Sequence, residues 1–221
     1  MATTFKPFGL KPAYHPSGLD RATPFAGTNS YGPGGGTYTA PYSLNTGEAF
    51  YQYQPVALTA GNALTIAAAD AASGTVFGVF DGVEFTDSQG RRSVAKWAAK
   101  TTLDASTDII FWLFTDPELV YEAQVNGSAT ASAIGTQYDF STATGYTTTS
   151  GTSIGNGGAG FSTCALAAAA VAGGSQGQVR VVGLGREVAF PAGETNAWGD
   201  TYTIVQVKIA NNAFVAPKVS V

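Results

Sequence analysis

Hydrophobic and polar positions along this chain repeat with the period of strands more than of helices. Residues 75–126 carry the densest pattern: TVFGVFDGVEFT, then DSQG, then RRSVAKW and, after a break, DIIFWLFTDPELVYEAQVN. The first and last runs are rich in Val, Ile, Phe, Tyr and Trp, side chains that fit a pleated surface. Tyr121, Ala123 and Val125 alternate with Glu122, Gln124 and Asn126, the period of a strand with one wet face. Residues 109–114, IIFWLF, have no polar face, which predicts a strand buried on both sides, in a sandwich core or against another chain. Asp87-Ser88-Gln89-Gly90 has the Asp-first, Gly-last chemistry of a type I turn, so a hairpin is expected there. Asp116-Pro117 opens the next turn, because proline presets its own φ and biases the aspartate away from helix.

Outside this block the pattern is thinner. Residues 49–59 contain Pro55 and predict an edge strand with a break at the proline. A short strand follows at 64–68. Residues 127–177 are rich in Ser, Thr, Ala and Gly and predict a projection with short strands near 136–140 and 146–149. Within 161–171 the run ALAAAAVA suits a helix by alanine's propensity, while its neighbours suit a strand. Strands are expected at 179–184 and at 201–209, where Thr203, Val205, Val207 and Ile209 oppose Tyr202, Gln206 and Lys208. The class is mainly β: a sandwich or barrel, jelly-roll-like, with long loops.

Residues 1–48 stand apart. Six prolines and Gly34-Gly35-Gly36 argue against a long helix or a central strand. Yet Phe5, Phe8, Leu10, Tyr14, Phe25, Tyr31, Tyr38 and Tyr42 make the segment too rich in large apolar side chains for a disordered tail. The expectation is an extended arm in front of a β domain at 49–221, its aromatics anchoring it to its own sheet or to a neighbouring subunit. Arg91 and Arg92 follow the hairpin turn on opposite faces of a strand. Both, with Phe111 and Trp112 of the all-apolar run, complete the set of candidate interface residues.

Composition sharpens this picture. Only 12% of the 221 residues are charged, about half the usual share of a soluble domain, and the mean hydropathy is +0.07. A chain so short of charge favours a surface partly covered by other chains. The net charge of −4 argues against non-specific binding to nucleic acid or to an anionic membrane. A single cysteine, Cys164, excludes a disulfide framework within the chain and reads as a small buried hydrophobe. No secretory signal opens the sequence and its longest apolar run, 165–172, is far too short for a membrane span, so synthesis in a cytoplasm is expected.

Candidate chemistry is sparse. Residues 155–160, GNGGAG, fit a dinucleotide fingerprint literally, but no apolar strand precedes them and the first acid downstream is Glu187. His15, the one histidine, lies in the arm without the G-x-S-x-G elbow of a hydrolase. The acids Asp81, Glu84, Asp87, Asp116, Glu118 and Glu122 fall mostly on predicted turns or wet faces. Asp81 shares a face with Phe77, Val79, Val83 and Phe85, unless Gly82 marks a bulge that turns it outward. No enzyme activity, cofactor or metal is expected.

GVFDGVEFTDSQGRRSVAKW with TDPELVYEAQVNGS, the N-terminal FKPFGLKPAYHPSG, and QVRVVGLGREVAFPAGETNAWGDTYTIVQVKIANNAF near the end together resemble a family of tailed-bacteriophage capsid decoration, or cement, proteins. These segments cover about half of the chain in the family's order; 19–48 and 128–177 depart from it. The resemblance implies a virion protein on the outer surface of a phage capsid, stabilising the shell by binding across major capsid protein subunits. Its partners would be that protein and copies of itself, most simply as a homotrimer on the shell's symmetry positions. The other class to weigh is a virion-surface or tail module that holds host glycans on exposed side chains such as Trp97 or Trp198.

Overall fold

A computed structural model describes residues 5–18, 22–25, 41–69, 75–141, 162–186 and 196–214. In chain order the strands are β1 (Lys11–Tyr14), β2 (Thr23–Phe25), β3 (Ala49–Tyr51), β4 (Gln54–Leu58), β5 (Leu64–Ile66), β6 (Gly78–Thr86), β7 (Arg92–Ala95) and β8 (Trp97–Ala99). After one short helix, α1 (Lys100–Asp104), come β9 (Thr107–Phe114), β10 (Val120–Gln124), β11 (Gln137–Tyr138), β12 (Val179–Leu184) and β13 (Ile204–Ile209). All strand pairing is antiparallel, in the order β1-β10-β13-β12-β11 in one sheet and β2-β9-β6-β4-β5, with β7 on β6, in the other; β3 and β8 form a ribbon. The protein is mainly β and sandwich-like, and no sheet closes into a barrel among the described residues.

The core forms because both sheets turn branched and aromatic side chains inward. Tyr121, Val125, Val181, Val205 and Val207 of the β10–β13–β12 sheet join Phe80, Val83, Phe111 and Leu113 of the β6–β9 sheet in one buried cluster. Phe50 anchors its centre, with ring centroids 5.5 Å from Phe80 and 5.2 Å from Phe111. Such aromatic pairs add specificity to the area they bury. The hairpin between β6 and β7 turns where expected: Gly90 N–H donates to Asp87 O at 2.9 Å, and Asp87 Oδ1 accepts from the amides of Gln89 and Arg91.

Three expectations need correcting. First, β4 is not an edge: it lies between β6 and β5, and the break falls at Tyr53, in the left-handed region with φ 65°. Pro55 is tolerated because its carbonyl, accepting from Ala67 N–H, marks the side on which its missing N–H would point. That side is past Ile66, the end of β5, so the β4–β6 ladder loses no donor. Second, the polar face of β10 is not wet. Glu122 is 6% exposed and Gln124 fully buried, for reasons given below. Third, 162–171 is neither helix nor regular strand. Leu166 bridges Val125 on one side and Phe140 on the other, donating to Gln124 O and accepting from Asn126 N–H, so tertiary pairing overrides the helix preference of the alanines. The strand expected at 146–149 lies outside the described residues.

Candidate functional site

The outer face of the β6–β9 sheet carries an unusual surface. In β9, Ile109, Phe111 and Leu113 point into the core, so Ile110 and Trp112 point away from it, partly exposed. The register places Val94 of β7, Glu84 of β6 and Ile110 of β9 side by side in one cross-strand row. The next row is Gly82, Trp112 and Pro24 of β2, in which Gly82 contributes no side chain beside the indole. Val94 is 75% exposed. Isolated exposed apolar residues are ordinary; here Ile110, Trp112 and Pro24 adjoin on β9 and β2, and Val94 lies across Glu84 from Ile110.

A charged pair crosses this surface at Glu84, between Val94 and Ile110, and other charges flank it. Arg92 donates from Nε to Glu84 Oε1 at 2.7 Å and from Nη1 to Asp108 O at 2.8 Å. The register shifts between Phe80 and Gly82, the bulge foreseen at Gly82. It turns Asp81 outward, where Lys96 Nζ lies 3.5 Å away and Gln52 Nε2 donates at 2.9 Å. Arg91 stays at the turn on Asp87, 3.0 Å away. Beyond Lys96, Trp97 is half exposed and stacks on Tyr51 with ring planes 13° apart. Apolar side chains interleaved with charged pairs have the mixed composition of a non-obligate protein–protein contact.

The first part of the arm lies on its own domain. Phe5 packs on Tyr202 at 4.8 Å, and Lys6 N–H donates to Gln124 Oε1 at 2.8 Å. Gly9 N–H donates to Cys164 O and Leu10 N–H to Tyr53 O. Gly9 holds φ +80° with Tyr53 O so near that a Cβ would clash, so only glycine allows this approach. β1 then pairs with β10, and these contacts are what dry the polar face of that strand. Phe8 is partly buried and Phe25 packs edge-on against Phe77. Leu10, Tyr42 and Phe111 lie in the core, which leaves them no surface to offer a partner. Tyr14 is exposed; Tyr31 and Tyr38 lie outside the described residues.

His15 has two neighbours that sequence spacing could not pair with it. Its Nδ1 accepts from Ser17 N–H at 3.0 Å and lies 2.6 Å from Ser17 Oγ, while Nε2 lies 3.1 Å from Asp116 Oδ2. The residue types are those of a hydrolytic triad. However, Ser17 N–H donates to the imidazole and Gly18 N–H to His15 O, so neither amide faces a developing oxyanion. The arrangement closes a turn and ties the end of β1 to the β9–β10 loop.

Among the described residues no group of three or more His, Cys, Asp or Glu is arranged to hold a metal ion. Burial raises the Cys164 thiol far above its ordinary pKa, which suppresses the reactive thiolate. Comparison with protein families, with curated proteins and with solved structures finds no match to this chain.

Proposed function

We propose that this chain is a virion structural protein that decorates the outer surface of a phage capsid and cements it by binding across major capsid protein subunits. The observation that carries the reading is the outer face of the β6–β9 sheet, with Val94 exposed and Ile110 and Trp112 partly exposed around the Glu84–Arg92 pair, on a chain with only 12% charged residues. A surface short of charge and carrying such apolar side chains gains by burial against other chains. The sequence resemblance supports the same reading, with the segments GVFDGVEFT and RRSVAKW supplying β6, β7 and the start of β8 that build this face. Copies would meet around the shell's three-fold positions as a homotrimer. Among the described residues no helix is long and apolar enough to cross a membrane.

The shell-binding element differs from the one sequence favoured. Residues 5–18 are occupied by their own domain, so the outer face of the β6–β9 sheet is the better docking surface. The test is cosedimentation with empty shells of the phage that encodes the chain, comparing the native protein with Val94→Glu. The native chain should bind stoichiometrically with the major capsid protein, and the variant should lose most of that binding while melting like the native chain. Equal binding by the two would discard this face as the docking site; no binding by the native chain would discard the decoration reading.

A further inference from the structure

On the other sheet, the outer face of β1, β10 and β13 forms an open cleft of about 380 Å³. Lys11, Glu122 and Gln206 line it as one cross-strand row, since Lys11 pairs with Glu122 and Glu122 with Gln206. Arg186 and the exposed Tyr14 complete its walls. Strand β1 shifts register between Pro12 and Tyr14, and such a bulge re-aims the end of a strand. Gly183, beside Gln206 on β12, leaves that wall without a side chain.

Two polar groups of opposite kind face each other across neighbouring strands in the cleft. Gln206 is 6% exposed, yet its Nε2 has no hydrogen-bond partner, a costly state for a buried donor. Glu122, equally buried, accepts Arg186 N–H at Oε1 at 2.6 Å, which uses one of the several acceptor positions of a carboxylate. A ligand seated here should accept from the amide, and it meets the acceptor oxygens of the carboxylate in the next strand. A simple anion satisfies Gln206 but meets Glu122. A cation satisfies Glu122 but meets Lys11 and Arg186. An apolar ligand satisfies neither. Neighbouring hydroxyls, each both donor and acceptor, satisfy both, and the ring of Tyr14 offers an apolar surface beside them.

We propose that this cleft is a saccharide-binding site, taking a neutral pyranose whose adjacent hydroxyls pair with Gln206 Nε2 and Glu122 while a ring face lies on Tyr14. Arg186 supplies further donors at the rim. The site is independent of shell binding, because it lies on the sheet opposite the apolar strip. It differs from the surface that exposed tryptophans suggest: Trp97 is stacked on Tyr51, and Trp198 is partly buried against the core.

The experiment is ligand-observed saturation-transfer NMR on the full chain, with the methyl glycosides of glucose, galactose and N-acetylglucosamine as probes at millimolar concentration. At least one pyranoside should receive saturation, and Tyr14→Ala and Gln206→Leu should each weaken it about fivefold or more, the loss of one good contact. Trp97→Ala should change nothing. Tyr14 is exposed, so its variant reports on binding even if Gln206→Leu folds poorly. The proposal is overturned if no pyranoside binds, if Tyr14→Ala binds as well as the native chain, or if Trp97→Ala abolishes binding. It is equally overturned if acetate or an N-acetylated dipeptide amide displaces the sugar at lower concentration.

Discussion

The two sheets of this molecule treat their outer faces in opposite ways. The β10–β13 sheet has a polar outer face, with Glu122, Gln124 and Gln206, and the chain covers much of it with its own N-terminal residues and with the segment around Tyr202. The β6–β9 sheet sets Val94, Ile110 and Trp112 around the Glu84–Arg92 pair on its outer face and leaves them exposed or partly exposed. Polarity therefore does not tell which face meets water. A polar face can be dried when backbone groups of another segment supply its hydrogen bonds, as Lys6 N–H and Tyr202 O do for Gln124.

The strongest way to break this contrast is to detach the cover. Leu10→Ala removes a fully buried side chain through which the arm joins the core. It should cost about 2–5 kcal/mol in urea unfolding. A variant as stable as the native chain would show that the arm is only laid over the domain. Next in size is Gln124→Ala, which leaves Lys6 N–H and Tyr202 O unpaired and should cost about 1–3 kcal/mol by the same measurement. On the open face the contrast predicts the reverse. Val94→Glu should shift stability by no more than about 0.5 kcal/mol, and a larger loss would mean the face is already engaged within the fold.

The smallest expected effect is a pH dependence. Asp104 is held below the usual carboxylate range first by the hydrogen bond from Lys100, 2.6 Å from Oδ2, and then by the one from Tyr42. A carboxyl with a lowered folded value stabilises the fold above its unfolded value and loses that contribution as pH falls through the folded one. Asp104→Asn should therefore narrow the difference in melting temperature between neutral and acidic solution, slightly, because the group is about half exposed. An unchanged difference would remove Asp104 from the acid response.

The strands themselves were legible where side-chain chemistry is local. Asp87 to Gly90 predicted its turn because the aspartate caps amides within four residues. Gly82 predicted the bulge that frees Asp81, whereas the all-apolar run 109–114 predicted a strand buried on both sides and not that Ile110 and Trp112 would be partly exposed. The candidate surfaces were less legible. Trp112 and Arg92 were singled out and do stand on the open face, whereas Leu10, Tyr42 and Phe111, chosen by the same criterion, fill the core. Size and apolarity suit an anchor and a core residue equally. Gln206, the buried donor of the cleft, gave no signal as a candidate in one dimension, because its meaning comes from Glu122 and Gly183 on neighbouring strands.

Residue order by itself determined the β class and the hairpin, since these follow from neighbours two to four positions apart. Only the tertiary structure decided that Leu166 would bridge two strands instead of lying in an alanine helix, that Pro55 would sit inside a sheet, and that β10's polar face would be covered. Each of those outcomes depends on a hydrogen bond or contact between segments far apart in the chain, and local propensity carries no information about which distant backbone will arrive.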